Sequence, residues 1–172
     1  QCQRLPRSLK RCARPDRVDF GEMALVDAHG AILAHSVKCC SVNFKNGRVL
    51  SATDVDDLRT TGIDSVVAAR LGSDDVHEDA AAAELGAALT GVGLRTKAPF
   101  TGRVNLFAEH AGALDFDVQA LGALNCVDES ITVATLPAWT RVQPRQMVAT
   151  VKIIAFAAPK PALAKALAHA LD

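Results

Sequence analysis

The segment Gln146–Phe156 constrains the fold more than any other part of the chain. Met147, Val148, Val151, Ile153, Ile154 and Phe156 crowd into it around a single Lys152, and Pro159 follows. Apolar and β-branched residues at that density form a strand, and a proline ends one. Ile63–Ala69, with Ile63, Val66 and Val67, and Ile131–Leu136 read the same way. Buried strands need sheet partners. Met23–Asp27 and Ala31–Lys38 flank the turn Ala28-His29-Gly30 as a hairpin, with Gly30 supplying a positive φ. Val42–Lys45 and Arg48–Leu50 flank Asn46-Gly47. Gly93–Phe100 leads into Thr101–Asn105, and Ala113–Phe116 alternates weakly.

Helices are signalled by caps. Ser51-Ala52-Thr53-Asp54 has capping-box spacing, with Val55 and Leu58 on one face and a stop at Gly62. Ser73 is placed to cap a helix whose first turns carry Asp74, Asp75, Glu78 and Asp79, acids that complement the helix dipole. That helix ends near Gly91 or Gly93. Val118, Leu121 and Leu124 mark a short helix, and Pro161 opens an Ala/Leu-rich one. The pattern predicts an α+β fold. Residues 20–72 form a hairpin-helix-strand unit, and residues 73–158 a helix with a β-rich, sandwich- or barrel-like unit. Residues 159–172 form a terminal helix or a linker to a further domain.

Charge separates the first residues from the rest. Residues 1–17 hold six of the 19 basic residues against Asp16, which leaves 13 basic and 18 acidic residues in the remainder. Residues 1–19 read as a basic, flexible arm. With zero net charge, no Tyr, one Trp and six Phe, neither a basic nucleic-acid binder nor an aromatic stacking platform is expected. No apolar run of membrane-spanning length occurs, so no membrane partner is expected. Five cysteines at irregular spacing, including the neighbours Cys39 and Cys40, give no disulfide framework, and a reducing, cytoplasmic setting is expected.

The chain lacks a P-loop, a G-x-G-x-x-G turn and a G-x-S-x-G elbow, so the common nucleotide and hydrolase signatures are missing. No catalytic residue and no metal ligand set is assigned; the five histidines are scattered, and the Asp54, Asp56, Asp57 cluster lacks calcium-loop spacing. The string Pro99–Ala108 is the candidate ligand site. Thr101, Arg103 and Asn105 alternate and so share one strand face, where Arg103 offers a fork to an anion or phosphate. The competing reading pairs Arg103 with Glu109 or Asp115 and leaves Thr101 and Asn105 to the local backbone. Asp128, Glu129, Ser130 and Thr132 are further candidate neighbours of Arg103.

Several strings resemble bacterial molybdopterin-binding proteins. They are Gly30–Val37, Lys45–Ser51, Asp54–Leu58 with Gly62-Ile63, Phe100–Ala108, Asn125–Ala134 and Gln146–Ile154. The resemblance runs from about Phe20 onward and lies in strings rather than in a catalytic signature. It implies a role in molybdenum cofactor biosynthesis or handling. It also implies that this chain is an N-terminal, accessory region, with molybdopterin or the molybdenum cofactor bound by a domain outside it. The family's Gly-rich pterin-phosphate loop has no counterpart here, so no cofactor-binding position carries over. The implied partners are a small pterin cofactor and a second copy of the chain. Two alternatives stand beside this: a protein-interaction or dimerisation module without ligand chemistry, and a phosphate- or nucleotide-binding part of a cofactor transferase.

Overall fold

The computed structural model describes residues 18–39, 42–154 and 156–171. The basic arm, apart from Val18 and Asp19, and Cys40 lie outside the described residues, and with them the expectations for the arm and for the vicinal cysteine pair. The fold is α+β, built around two separate apolar cores.

The first core is enclosed by β1 (Asp19–Ala24), β2 (Ile32–Leu33), the hairpin of β3 (Val37–Cys39) and β4 (Val42–Phe44), α1 (Ala52–Thr60) and β5 (Ser65–Arg70). The predicted hairpin about Ala28-His29-Gly30 does not form. β1 and β2 lie on opposite sides of β5, in the order β1-β5-β2, and a 3-10 turn at Leu25–Asp27 separates them. The reason is burial: Val66 and Ala68 on β5 are sealed, so the most apolar strand takes the centre and both neighbours pair with it. Phe44, Leu50 and Leu58 fill the space beneath.

The start of α1 follows the predicted capping box. Asp54 N–H donates to Ser51 Oγ at 3.2 Å, and Ser51 N–H donates to Asp54 Oδ2 at 3.0 Å. Arg48 adds a two-pronged grip on the same carboxylate, from Nε at 2.9 Å and from Nη2 at 2.7 Å. Asp54 is thereby a buried acid with every oxygen engaged. The Arg48 hydrogen bonds hold its carboxyl below the ordinary 3.8; burial opposes them, and Ser51 assists.

The second core contains β6 (Asp75–His77), α2 (Glu78–Ala88), β7 (Leu94–Thr96), β8 (Arg103–Ala108), β9 (Gly112–Ala113), α3 (Val118–Asn125), β10 (Ile131–Thr135), β11 (Arg141–Val142), β12 (Met147–Ile153), β13 (Ala157–Pro159) and α4 (Lys160–Leu171). Its main sheet is open and antiparallel, in the order β10-β12-β8-β7, where a sandwich or barrel was expected. α2 packs on β8 and β12 and α3 on β10, with α4 packed against α2 and α3, and a sheet faced on that side by helices has no second sheet to meet. At Gly86 a Cβ would fall 2.7 Å from Val104 Cγ1, so glycine is what lets α2 lie so close to β8.

Ser73 does not cap α2. Residues 75–77 are instead a strand paired with β13, the helix starts at Glu78, and His77 Nδ1 accepts from Asp79 N–H. Asp75 turns back to accept from Gly72 N–H. The terminal segment is a helix packed into the second core through Ala162, Leu163 and Ala166. One aromatic contact, Phe20 stacked on Phe156 with ring centroids 6.3 Å apart, joins the two units. No helix among the described residues is long and apolar enough to cross a membrane.

Candidate functional site

Period-two alternation sorts β8 cleanly. Val104, Leu106 and Ala108 point into the core, while Arg103, Asn105 and Phe107 point out. Register then assembles a face. Lys152 stands directly opposite Arg103, and Thr132 opposite Lys152. Thr150 stands opposite Asn105, and its hydroxyl donates to Asn105 Oδ1 at 2.7 Å. Met147 and Arg95 flank Phe107. The Arg95 guanidinium lies 5.5 Å from the Phe107 ring centroid, and the Lys97 ammonium 4.9 Å. Across the hairpin from Arg103 sits Phe100, which is 77% exposed.

This surface carries Arg95, Lys97, Arg103 and Lys152 beside two aromatic rings. Among the described residues none of these four cations forms an ion pair, and the outward positions of the four strands include no acid. Like charges placed directly across a strand pair destabilise a sheet. Arg103 opposite Lys152 is such a pair, and an anion bound between them removes the penalty.

The hairpin that presents Arg103 is tightly seated. Thr101 and Gly102 have φ of 48° and 68°, the two positive values that a type I′ turn needs. Gly102 N–H donates to Asp79 Oδ1 at 2.8 Å, and Gly102 O accepts from Ile153 N–H at 2.7 Å. Beneath the turn lies Glu78. Its residue is only 9% exposed, and its carboxylate accepts no hydrogen bond from the described residues. Burial raises its pKa above the ordinary 4.5, with Asp79 adding to the rise and His77 opposing it.

The sign of the linkage follows. An acid whose folded pKa is raised holds its proton more tightly in the native state, so its share of stability is present at low pH and lost as pH rises through the folded value. Glu78→Gln is therefore expected to be more stable than the parent at pH 7 to 8, because the amide carries no charge to be desolvated beneath the turn. Chemical denaturation at a series of pH values checks this: the gap should close below pH 4.5. A parent as stable as the variant throughout would refute it.

Of the three residues expected to share a strand face, Arg103 and Asn105 do so, and Thr101 stands in the turn before the strand. Arg103 does not pair with Glu109 or Asp115. Asp128 is taken by Ser130, whose N–H and hydroxyl both donate to its Oδ1. Lys152, Lys97 and Arg95 were not assigned to the site from the sequence, and Phe100 lay within the candidate string without a role of its own. The one available signal was Lys152 interrupting the strongest strand. Among the described residues no group of three or more His, Cys, Asp or Glu side chains is placed to hold a metal ion, and Cys126 is exposed and unpaired.

A family model described as a domain of unknown function (DUF8806) matches residues 22–70. That segment corresponds to the first unit and stops short of the cationic face. No curated protein and no solved structure matches the chain.

Proposed function

We propose that this chain is a non-catalytic accessory region of a protein that handles the molybdenum cofactor, and that the outer face of its second sheet holds the phosphate of the pterin ligand or of its adenylylated form. The observation that carries the reading is Arg103 standing opposite Lys152, with neither in an ion pair among the described residues. Arg103 supplies a planar fork and Lys152 a point charge, the two common ways of gripping phosphate. Exposed Phe100 beside them offers a flat apolar surface to a heterocycle. Asn105 and Thr150 add amide and hydroxyl groups. The resemblance to molybdopterin-binding proteins supports the choice of ligand, and five irregularly spaced cysteines agree with a cytoplasmic setting.

Calorimetric titration with molybdopterin, its adenylylated form and AMP tests the reading. At least one is expected to bind, with affinity falling as salt is raised. Arg103→Ala should weaken that binding by about ten- to a hundredfold, which corresponds to loss of one charge-assisted contact of about 1.5–3 kcal/mol. Lys152→Ala should weaken it less. No heat with any of the three, or an unchanged affinity in Arg103→Ala, rejects the proposal.

A further inference from the structure

The cations on the outer face of the second sheet fall into two groups. Arg103 and Lys152 stand opposite each other at one end of β8. Toward the other end the Phe107 ring holds Arg95 and Lys97, at 5.5 Å and 4.9 Å from its centroid. Both distances are within cation–π range, so one ring gathers two like charges. Arg103 and Phe107 both point outward, and β8 advances about 13 Å from the one to the other. None of the four cations forms an ion pair among the described residues. Glu109 follows just past the end of the strand and bounds the stretch.

The ring keeps Arg95 and Lys97 at its own level, so one phosphate seated between Arg103 and Lys152 leaves them unneutralised. A molecule that satisfies both groups carries phosphates in series. Between the groups lie Asn105 and Thr150, which are uncharged and bonded to each other. Beside Arg103 stands the exposed Phe100 ring. Such rings stack unpaired bases with little regard to sequence. A phosphodiester chain with unpaired bases matches both features. The even charge balance of the whole chain does not report this clustering, because the register of β7, β8 and β12 creates it.

We infer that this face binds single-stranded nucleic acid, its phosphates running from the Arg103–Lys152 pair to the Arg95–Lys97 pair and a base resting on Phe100. The inference rests on Arg103 and Lys152 as a phosphate site; it does not require that phosphate to belong to a pterin.

Fluorescence anisotropy of a labelled tetrathymidylate, with thymidine monophosphate as competitor, separates a chain from a point anion. The tetranucleotide should bind about tenfold or more tighter than the monophosphate. Its affinity should fall with salt at a logarithmic slope of about −1.4 or steeper, the value for two or more neutralised phosphates on a single strand. Arg95→Gln with Lys97→Gln should remove most of the tetranucleotide's advantage and leave the monophosphate unchanged; Lys97→Glu, at an exposed position, serves should the double variant not fold. Arg103→Ala should weaken both ligands. Phe100→Ala should weaken the tetranucleotide about fivefold and leave inorganic tripolyphosphate unchanged. The inference is overturned if the tetranucleotide binds no tighter than the monophosphate, if folded variants at Arg95 and Lys97 keep the full advantage, or if tripolyphosphate binds as tightly as the tetranucleotide. A monophosphate that still binds in the first case leaves the phosphate site standing. Tetrathymidylate binding without any pterin binding rejects the pterin ligand alone.

Discussion

Gly102→Ala is expected to lose about 3–4 kcal/mol of stability, among the larger effects of a single methyl group. Two penalties combine. At φ of 68° an alanine occupies the left-handed region, which costs about 1–2 kcal/mol. The added Cβ would also fall 2.7 Å from Ile153 O and 2.8 Å from Glu78 Oε2. The first is backbone and is fixed, because the same residues already share the hydrogen bond from Ile153 N–H to Gly102 O. The second is a buried carboxylate with little room to withdraw. Thermal unfolding should show a fall of about 10 °C, at about 2–4 °C per kcal/mol for a chain of this size. The displaced hairpin should also weaken anion binding, since Arg103 follows Gly102 directly. Thr101→Ala, one residue earlier, removes no close contact and should change little. A Gly102→Ala variant that melts within about 2 °C of the parent would show that the turn is not seated as described.

Asp54→Ala is the second large effect, at about 2–3 kcal/mol. Loss of the cap accounts for about 1 kcal/mol, and loss of a charge-assisted grip for about 1.5–3 kcal/mol. The sum stays at the lower end because the Arg48 side chain is half exposed and regains water when freed. The sign with pH is opposite to that of Glu78. The Asp54 pKa is lowered in the folded protein, chiefly by Arg48, so its contribution is complete above pH 3.8 and is lost as pH falls through the folded value. Parent and variant should therefore differ most near neutrality and converge in acid. Asp54→Asn keeps an oxygen for the cap and loses the ion pair, so about half the deficit should remain. Equal acid sensitivity of parent and Asp54→Ala in urea titrations would exclude this role for the carboxylate.

What could be read from residue order divides by distance along the chain. The capping box at Ser51 and Asp54 was legible because its partners are three residues apart. The outward placement of Arg103 and Asn105 was legible because a strand repeats every two residues. Arg48 reaching Asp54 was missed: it precedes the helix, and no spacing rule announces it. The β6–β13 ladder was missed as well. Asp75, Val76 and His77 look like an acidic helix start, and only their pairing with Ala157, Ala158 and Pro159 makes them a strand. The same limit hid most of the cationic face. Arg103 and Lys152 are neighbours only through the register of β8 on β12, and neither residue carries that information in its surroundings. Glu78 read as a solvated helix acid because nothing nearby foretold the hairpin folded over it.

The β6–β13 ladder has a consequence for how the polypeptide is made. Its last strand closes against its first, so the second unit stays incomplete through the synthesis of everything between Asp75 and Pro159. At about 5–20 residues per second that is an interval on the order of ten seconds. The first unit, whose strands all precede residue 71, has by then had time to fold behind the ribosome. The cationic hairpin therefore takes shape late, on a chain whose first unit is already in place.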